Sequence, residues 1–294
     1  MRILRRLIVA FFILVLAGFA VWRVMWYMNN DTTAPVMSCS SESFEVSIDV
    51  TDEELKAGVT ATDNRDGDVS DSIVVVSLSK FSSTGKRKIN YAAFDSQSNV
   101  ATLTRTLVYT DYHSPRFSLQ TPLRFLSTTS EYNLLDLLTA EDCLDGDISN
   151  LIKLFYDTEE VAYYGSAGKQ KMTFSVTNSA GDTSSIDLYL ELLDSDDYYL
   201  SYPALSEYLV YLEPGQALNP EDYIVGYAGG DSSVTRFSDK SSYSAKDVKA
   251  DDSAVDYSSP GVYPVTYTLY NEKEAQGSVT QYIVVEGEVT ANAD

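Results

Sequence analysis

Ala61-Thr62-Asp63-Asn64-Arg65-Asp66-Gly67-Asp68-Val69 is the stretch on which the fold turns, because it returns 79 positions later as Ala140-Glu141-Asp142-Cys143-Leu144-Asp145-Gly146-Asp147-Ile148. A near-copy at that distance marks an internal repeat, and such a spacing suits one two-sheet sandwich per unit. A second landmark follows each copy. Gly85 and Gly168, each two residues after a serine, open runs whose apolar residues alternate, and Gly261 opens a third.

The runs align residue by residue. Ile89, Tyr91 and Ala93 correspond to Met172, Phe174 and Val176, and to Val265, Tyr267 and Leu269, with Asn90, Thr173 and Thr266 between them. That is the period of a half-buried strand. A final strand behaves alike, with Leu103 and Leu107 matching Ile186 and Leu190, then Val279 and Ile283. Asp95 to Asn99, Asn178 to Asp182 and Asn271 to Ala275 separate the two strands with residues that bond their own backbone, so a hairpin closes each unit. At Gly85, Gly168 and Gly261 a turn with positive φ is expected to start that hairpin. Asp31-Thr32-Thr33-Ala34-Pro35, Asp111-Tyr112-His113-Ser114-Pro115 and the looser Asp194 to Pro203 mark the unit boundaries, where proline fixes an extended connection. Ile73 to Val76 reads as an edge strand that needs cover or a partner.

The chain starts Met1-Arg2-Ile3-Leu4-Arg5-Arg6 and then runs without charge from Leu7 to Trp22. Three arginines before an apolar run give a secretory signal or a signal anchor with its N-terminus in the cytoplasm. Gly18 and Ala20 offer a peptidase a small-x-small site. Retention is the favoured reading, because apolar character resumes from Val24 to Met28 beyond a snorkelling Arg23, with Trp22, Trp26 and Tyr27 as interfacial anchors.

Twenty-one basic residues against 43 acidic ones give a net charge of −22, and four of the arginines precede Met28, so the exported part is more acidic still. Nucleic acid is excluded as a partner. Cys39 and Cys143, at non-equivalent places in their repeats, make no disulfide framework. Tyr, Thr, Ser and Val are plentiful and no long run after the N-terminal segment has the helical period, so the exported region is all-β.

With these residues in view the sequence resembles bacterial surface immunoglobulin-like domains, related to the hyalin-repeat type. Their pattern has an Asp-x-x-x-Pro start, a G-V-T-A-T-D-N-x-D-G-D-I/V turn, a glycine opening the penultimate strand and D-x-x-x-N-V-A before the last. The first unit carries Gly58 to Asn64, Asp66 to Val69 and Asp95 to Ala101; the second has Leu138 to Asp142 and Asn178 to Asp182. The third lacks D-G-D, keeps the Gly261 hairpin and carries a Ser- and Asp-rich insertion from Gly229 to Ser259. The resemblance implies tandem immunoglobulin-like β-sandwiches on a cell surface, in spacer, adhesive or accessory roles without a catalytic residue set. The expected division is a signal anchor or transmembrane segment at 1–28, such domains at 29–110, 111–194 and a divergent 195–288, and a tail at 289–294.

No catalytic machinery is legible. His113 is the one histidine and sits in a linker, so Ser-His-Asp and Cys-His chemistry lack a base. Ser77-Leu78-Ser79-Lys80 matches S-x-x-K, but it falls in an expected strand and no companion motif accompanies it. Tyr198, Tyr199, Tyr202, Tyr208 and Tyr211, with Tyr163-Tyr164, read either as a recognition surface for sugars or proteins or as ordinary strand residues. Asp63, Asp66 and Asp68, and Asp142, Asp145 and Asp147, crowd carboxylates within a few residues. Either they supply part of a calcium shell or they serve the tight turns at Gly67 and Gly146. The expected protein is non-enzymatic, without a cofactor unless calcium binds. It is a single-pass cell-membrane protein with extracellular C-terminal domains, its stalk presenting the third domain to a protein or glycan partner. The alternative is an accessory structural subunit of an envelope assembly.

Overall fold

The computed structural model of the chain describes residues 2–129, 133–156, 166–230, 232–238 and 240–287. Contacts divide it into two compact units, Met1–Tyr112 and His113–Asp294.

The first unit begins with helix α1 (Arg2–Asn29). Within Arg2–Met28 an 18-residue window has a mean hydropathy of 2.5 and none of it is buried, so the helix is long and apolar enough to cross a bilayer by length and composition. After it come strands β1 (Val36–Cys39), β2 (Ser43–Val46), β3 (Val59–Asp63), β4 (Gly67–Asp68), β5 (Val74–Ser83), β6 (Lys86–Phe94) and β7 (Val100–Tyr109). They form two sheets, ordered β1-β3-β4 and β2-β7-β6-β5. All neighbours are antiparallel except β2, which runs parallel to β7.

That plan recurs twice in the second unit. β8 (Arg116–Leu119), β9 (Arg124–Leu126), β10 (Leu138–Asp142), β11 (Gly146–Asp147), β12 (Lys153–Tyr156), β13 (Gly168–Thr177) and β14 (Thr183–Leu193) make sheets β8-β10-β11 and β9-β14-β13-β12. β15 (Ser201–Leu205), β16 (Leu209–Leu212), β17 (Ile224–Gly229), β18 (Thr235–Arg236), β19 (Val248–Asp251), β20 (Gly261–Asn271) and β21 (Glu274–Val285) make β15-β17-β18 and β16-β21-β20-β19. Again the second strand of each set lies parallel to the last. The protein is therefore an all-β series of seven-stranded sandwiches behind an apolar helix.

Alternation dictates the cores. Ile89, Tyr91, Ala93, Met172, Phe174, Val176, Val265, Tyr267 and Leu269 are all buried, as are Leu107, Ile186, Leu190, Val279 and Ile283. Each large apolar side chain contributes about 2 kcal/mol by leaving water. Tyr91 and Tyr267 can sit at sandwich centres because their hydroxyls find partners: Tyr91 donates to the Leu55 carbonyl at 2.6 Å, and Tyr267 to Oε1 of Gln281 at 2.7 Å. Leu103 is only half-buried, and Arg105 takes the inward place beside it.

Two details differ from the sequence reading. Gly85 has φ +70°, but neither Gly168 nor Gly261 has positive φ. Gly261 is constrained by packing, since a Cβ there would press on the Tyr263 ring. Nor does a break in packing accompany residues near Asp194, because the second and third sandwiches share one hydrophobic cluster running from Phe117 to Val285. Instead Asp194 caps a short helix, Ser195–Tyr198, by accepting the Asp197 N–H at 3.0 Å.

The edge strand β5 exposes Val74, Val76 and Leu78 and shifts register at three points along β6. Such bulges blunt an edge against pairing with another chain.

Candidate functional site

The acidic turns fold alike in the first two sandwiches. Asp63 ends β3 and its Oδ1 accepts the N–H groups of Arg65 (2.7 Å) and Asp66 (3.0 Å); Asp142 ends β10 and receives those of Leu144 (3.0 Å) and Asp145 (3.1 Å). These bonds hold a turn that lets Gly67 and Gly146 adopt φ +75° and +71°. Asp66 accepts from the Ser96 N–H and hydroxyl at 2.7 and 3.0 Å, and Asp145 from those of Ser179 at 2.6 and 2.7 Å. Each thus ties its turn to the turn that closes the hairpin. Asp68 and Asp147 accept the N–H of Ser70 and Ser149 at 3.0 and 2.9 Å.

Asp63 has a different setting on its other oxygen. Ligand oxygens of Asp31, Asp63 and Asp95 lie within 4.8 Å of one another, and each residue is 8% exposed. Asp31 belongs to the connection after α1, and Asp95 starts the turn from β6 to β7. Asn99 joins those two segments: its Nδ2 donates to the Asp31 carbonyl at 3.1 Å and to Asp95 Oδ2 at 2.6 Å. The Asp31 N–H donates in turn to Gln97 Oε1 at 2.9 Å. N–H groups of Asp66 and Arg65 hold the Asp63 carboxyl below the usual range. Burial pushes Asp95 up, yet the Asn99 amide and the N–H groups of Asn99, Gln97 and Ser98 leave it lowered on balance. The sequence set the acids of the D-G-D stretch together; only the fold brings Asp31 and Asp95 to Asp63, across distances along the chain that no spacing rule joins.

In the second sandwich Asn178 occupies the place of Asp95, and its Nδ2 donates to Asp142 Oδ2 at 3.0 Å. The register confirms the equivalence, because the Asp95 N–H bonds the Asn99 carbonyl and the Asn178 N–H bonds the Asp182 carbonyl.

Most of the tyrosines are structural. Tyr202 and Tyr208 are buried, Tyr198 and Tyr211 half-buried, and Tyr199 is 58% exposed against Tyr198. Tyr163 and Tyr164 lie outside the described residues. A groove of about 200 Å³ does open within the second unit, lined by Lys169, Asp187, Tyr189, Val262, Pro264 and Tyr282. It offers an aromatic face between the ion pairs Lys171–Asp187 (2.8 Å) and Lys169–Glu191 (2.7 Å). Its walls come from both sandwiches, which is why no linear stretch announces it. His113 Nδ1 donates locally to the Ser114 carbonyl at 3.0 Å, and Ser77 to Lys80 lie within β5.

No family model matches the sequence, and no curated protein matches it. Solved structures similar to the chain include CBM51-2, in complex with GlcNAc, and INT domains from Clostridium perfringens ZmpB. It shares 16% identity, covering 57% of this chain and 31% of that one, with a TM-score of 0.22. Drosophila N-cadherin EC1-4 shares 13% identity over 78% of this chain and 63% of that chain, with the same TM-score. Human CDH23 EC21-23 shares 10%, over 86% and 100%, with a TM-score of 0.21. This chain therefore spans about a third of the first of these. Scores so low carry no argument about ligand or activity, and the fold rests on the strand order above.

Proposed function

We propose that this is a non-enzymatic surface protein of the bacterial immunoglobulin-like repeat type, held in the membrane by α1 and presenting its sandwiches for a protein or glycan partner. The carrying observation is a fully exposed apolar helix joined directly to sandwiches that repeat one seven-strand plan. An exposed span of that length is stable in lipid rather than in water, and Arg2, Arg5 and Arg6 keep its start cytoplasmic. The acidic exported part then stays soluble outside the membrane. Contact with a partner falls to the second unit, where Tyr189 in the groove combines a rigid aromatic face with charged neighbours, a combination suited to a sugar ring or a polar peptide.

Protease treatment of intact cells tests the topology: the sandwiches should be cut while Arg2 to Arg6 stay protected. A mature N-terminus at Val21 would replace anchoring with secretion. For the partner, Tyr189→Ala should reduce capture of glycans or envelope proteins on arrays at least tenfold without altering unfolding. Unchanged capture would move the contact elsewhere. The exposed valines of β5 favour a second reading, lateral packing in an envelope assembly, which a stoichiometric membrane complex recovered by pull-down would support.

A further inference from the structure

We infer that Asp31, Asp63 and Asp95 form a divalent-cation site in the first sandwich and that calcium is its occupant. Proximity of acids alone makes no site. The second observation is that Asp63 Oδ2 and Asp31 Oδ2 are buried without a hydrogen-bond partner, in residues that are more than nine-tenths buried and that both belong to the cluster. A buried carboxylate oxygen facing two further carboxylates needs a counter-charge. Arg65 supplies little of it. Its Nε stands 3.8 Å from Asp31 Oδ2, its side chain is 42% exposed, and its Nη2 donates to the Met28 carbonyl at 2.5 Å.

The second sandwich shows how the same position is closed without an ion. There Asn178 replaces Asp95, and its amide donates to the oxygen of Asp142 equivalent to Asp63 Oδ2. One sandwich thus answers that oxygen with an N–H donor; the other places a third carboxylate there, an arrangement that a cation satisfies and a proton donor does not. Three oxygen donors without nitrogen or sulfur select a hard ion. Calcium accepts six to eight oxygens in irregular geometry, whereas magnesium demands a near-regular octahedron and sheds its waters reluctantly. Ligands from three separate segments, two of them loops, suit the more tolerant ion. Binding would pin the connection after α1 to the turn after β3 and to the β6–β7 turn, fixing the base of the sandwich.

The full-length protein in detergent, stripped with a chelator, is titrated with calcium chloride or magnesium chloride by calorimetry and followed by thermal unfolding. The wild type should take up calcium and unfold several degrees higher with it than with chelator. Asp95→Asn, which copies Asn178, should abolish that uptake and raise the calcium-free midpoint above that of the calcium-free wild type. Asp63→Asn should abolish uptake as well, while Asp145→Asn should keep it. Absence of uptake by the wild type, uptake retained in Asp95→Asn, or uptake lost in Asp145→Asn each overturns the site. Magnesium binding as tightly as calcium overturns the choice of ion.

Discussion

The phenol of Tyr282 makes a two-point contact with the backbone of Tyr189: it accepts the Tyr189 N–H across 2.9 Å and donates to the Tyr189 carbonyl across 3.2 Å. Tyr282 belongs to the third sandwich and Tyr189 to the second, so one side chain completes the exposed edge of β14 beyond its pairing with β9. Related contacts run beside it. The Phe117 N–H donates to the Tyr211 hydroxyl at 2.9 Å, the Tyr208 N–H to the Leu119 carbonyl at 2.9 Å, and Arg116 pairs with Glu286 at 2.8 and 2.5 Å. The second and third sandwiches should therefore unfold as one cooperative unit. Tyr282→Phe leaves the Tyr189 groups unpaired and should destabilise that unit by about 2 kcal/mol in urea unfolding. Separate transitions for the two sandwiches in the wild type would refute the coupling.

Arg105 is 3% exposed, with Nε donating to the Ser41 carbonyl at 2.8 Å, Nη1 to the Ala57 carbonyl at 2.9 Å, and its guanidinium 4.0 Å from the Phe44 ring centre. It bolts two loops of the first sandwich to β7. Arg105→Ala should cost about 3 kcal/mol, since two carbonyls lose charge-assisted donors and a stacked face is emptied. Arg105→Lys should recover only part of this, because an ammonium lacks the fork. A denaturant midpoint unchanged in Arg105→Ala would show the bolt to be dispensable.

Two glycines should respond differently to a methyl group. Gly67 has φ +75° with open space around its missing Cβ, so Gly67→Ala should cost about 1 kcal/mol in backbone strain alone. At Gly226 a Cβ would sit on the Thr235 carbonyl, in the pairing of β17 with β18. Gly226→Ala should cost more and weaken amide-exchange protection in β17. Equal losses would mean that the strands part without penalty.

The pH dependence has two limbs. The Ser258 hydroxyl, with Ser259 and the Ser258 N–H, lowers Asp256 to about 2, and the Ser149 hydroxyl and N–H lower Asp147. A depressed carboxyl contributes stability that is present above its ordinary value of 3.8 and is lost as pH falls through the folded value. Burial pushes the phenols of Tyr208 and Tyr211 up to about 12. Their contribution is complete below the ordinary 10.0 and fades as pH rises from there toward about 12. Thermal midpoints should fall below pH 4 and above pH 10, and Ser258→Ala should flatten part of the acid limb. An acid limb unaffected by Ser258→Ala would remove Asp256 from the account.

The sequence by itself determined the all-β class, the hairpin residues and the burial of Tyr91, Phe174 and Tyr267, because alternation is local and a strand's face follows from its period. It also determined the D-G-D turns, since Asp63 and Asp142 act on N–H groups two and three residues away. Tertiary structure decided what those acids face. Whether the second oxygen of a turn aspartate meets a carboxylate or an amide depends on Asp95 or Asn178, brought across the sandwich by hairpin register rather than by spacing. It also decided that the second and third sandwiches share a core, because the joining atoms, the hydroxyls of Tyr211 and Tyr282, act on backbone more than ninety positions away. The loop at Asp194 reads as a boundary because its residues cap and turn. Local chemistry of that kind says where a strand stops and carries no information about the surface against which the next strand packs.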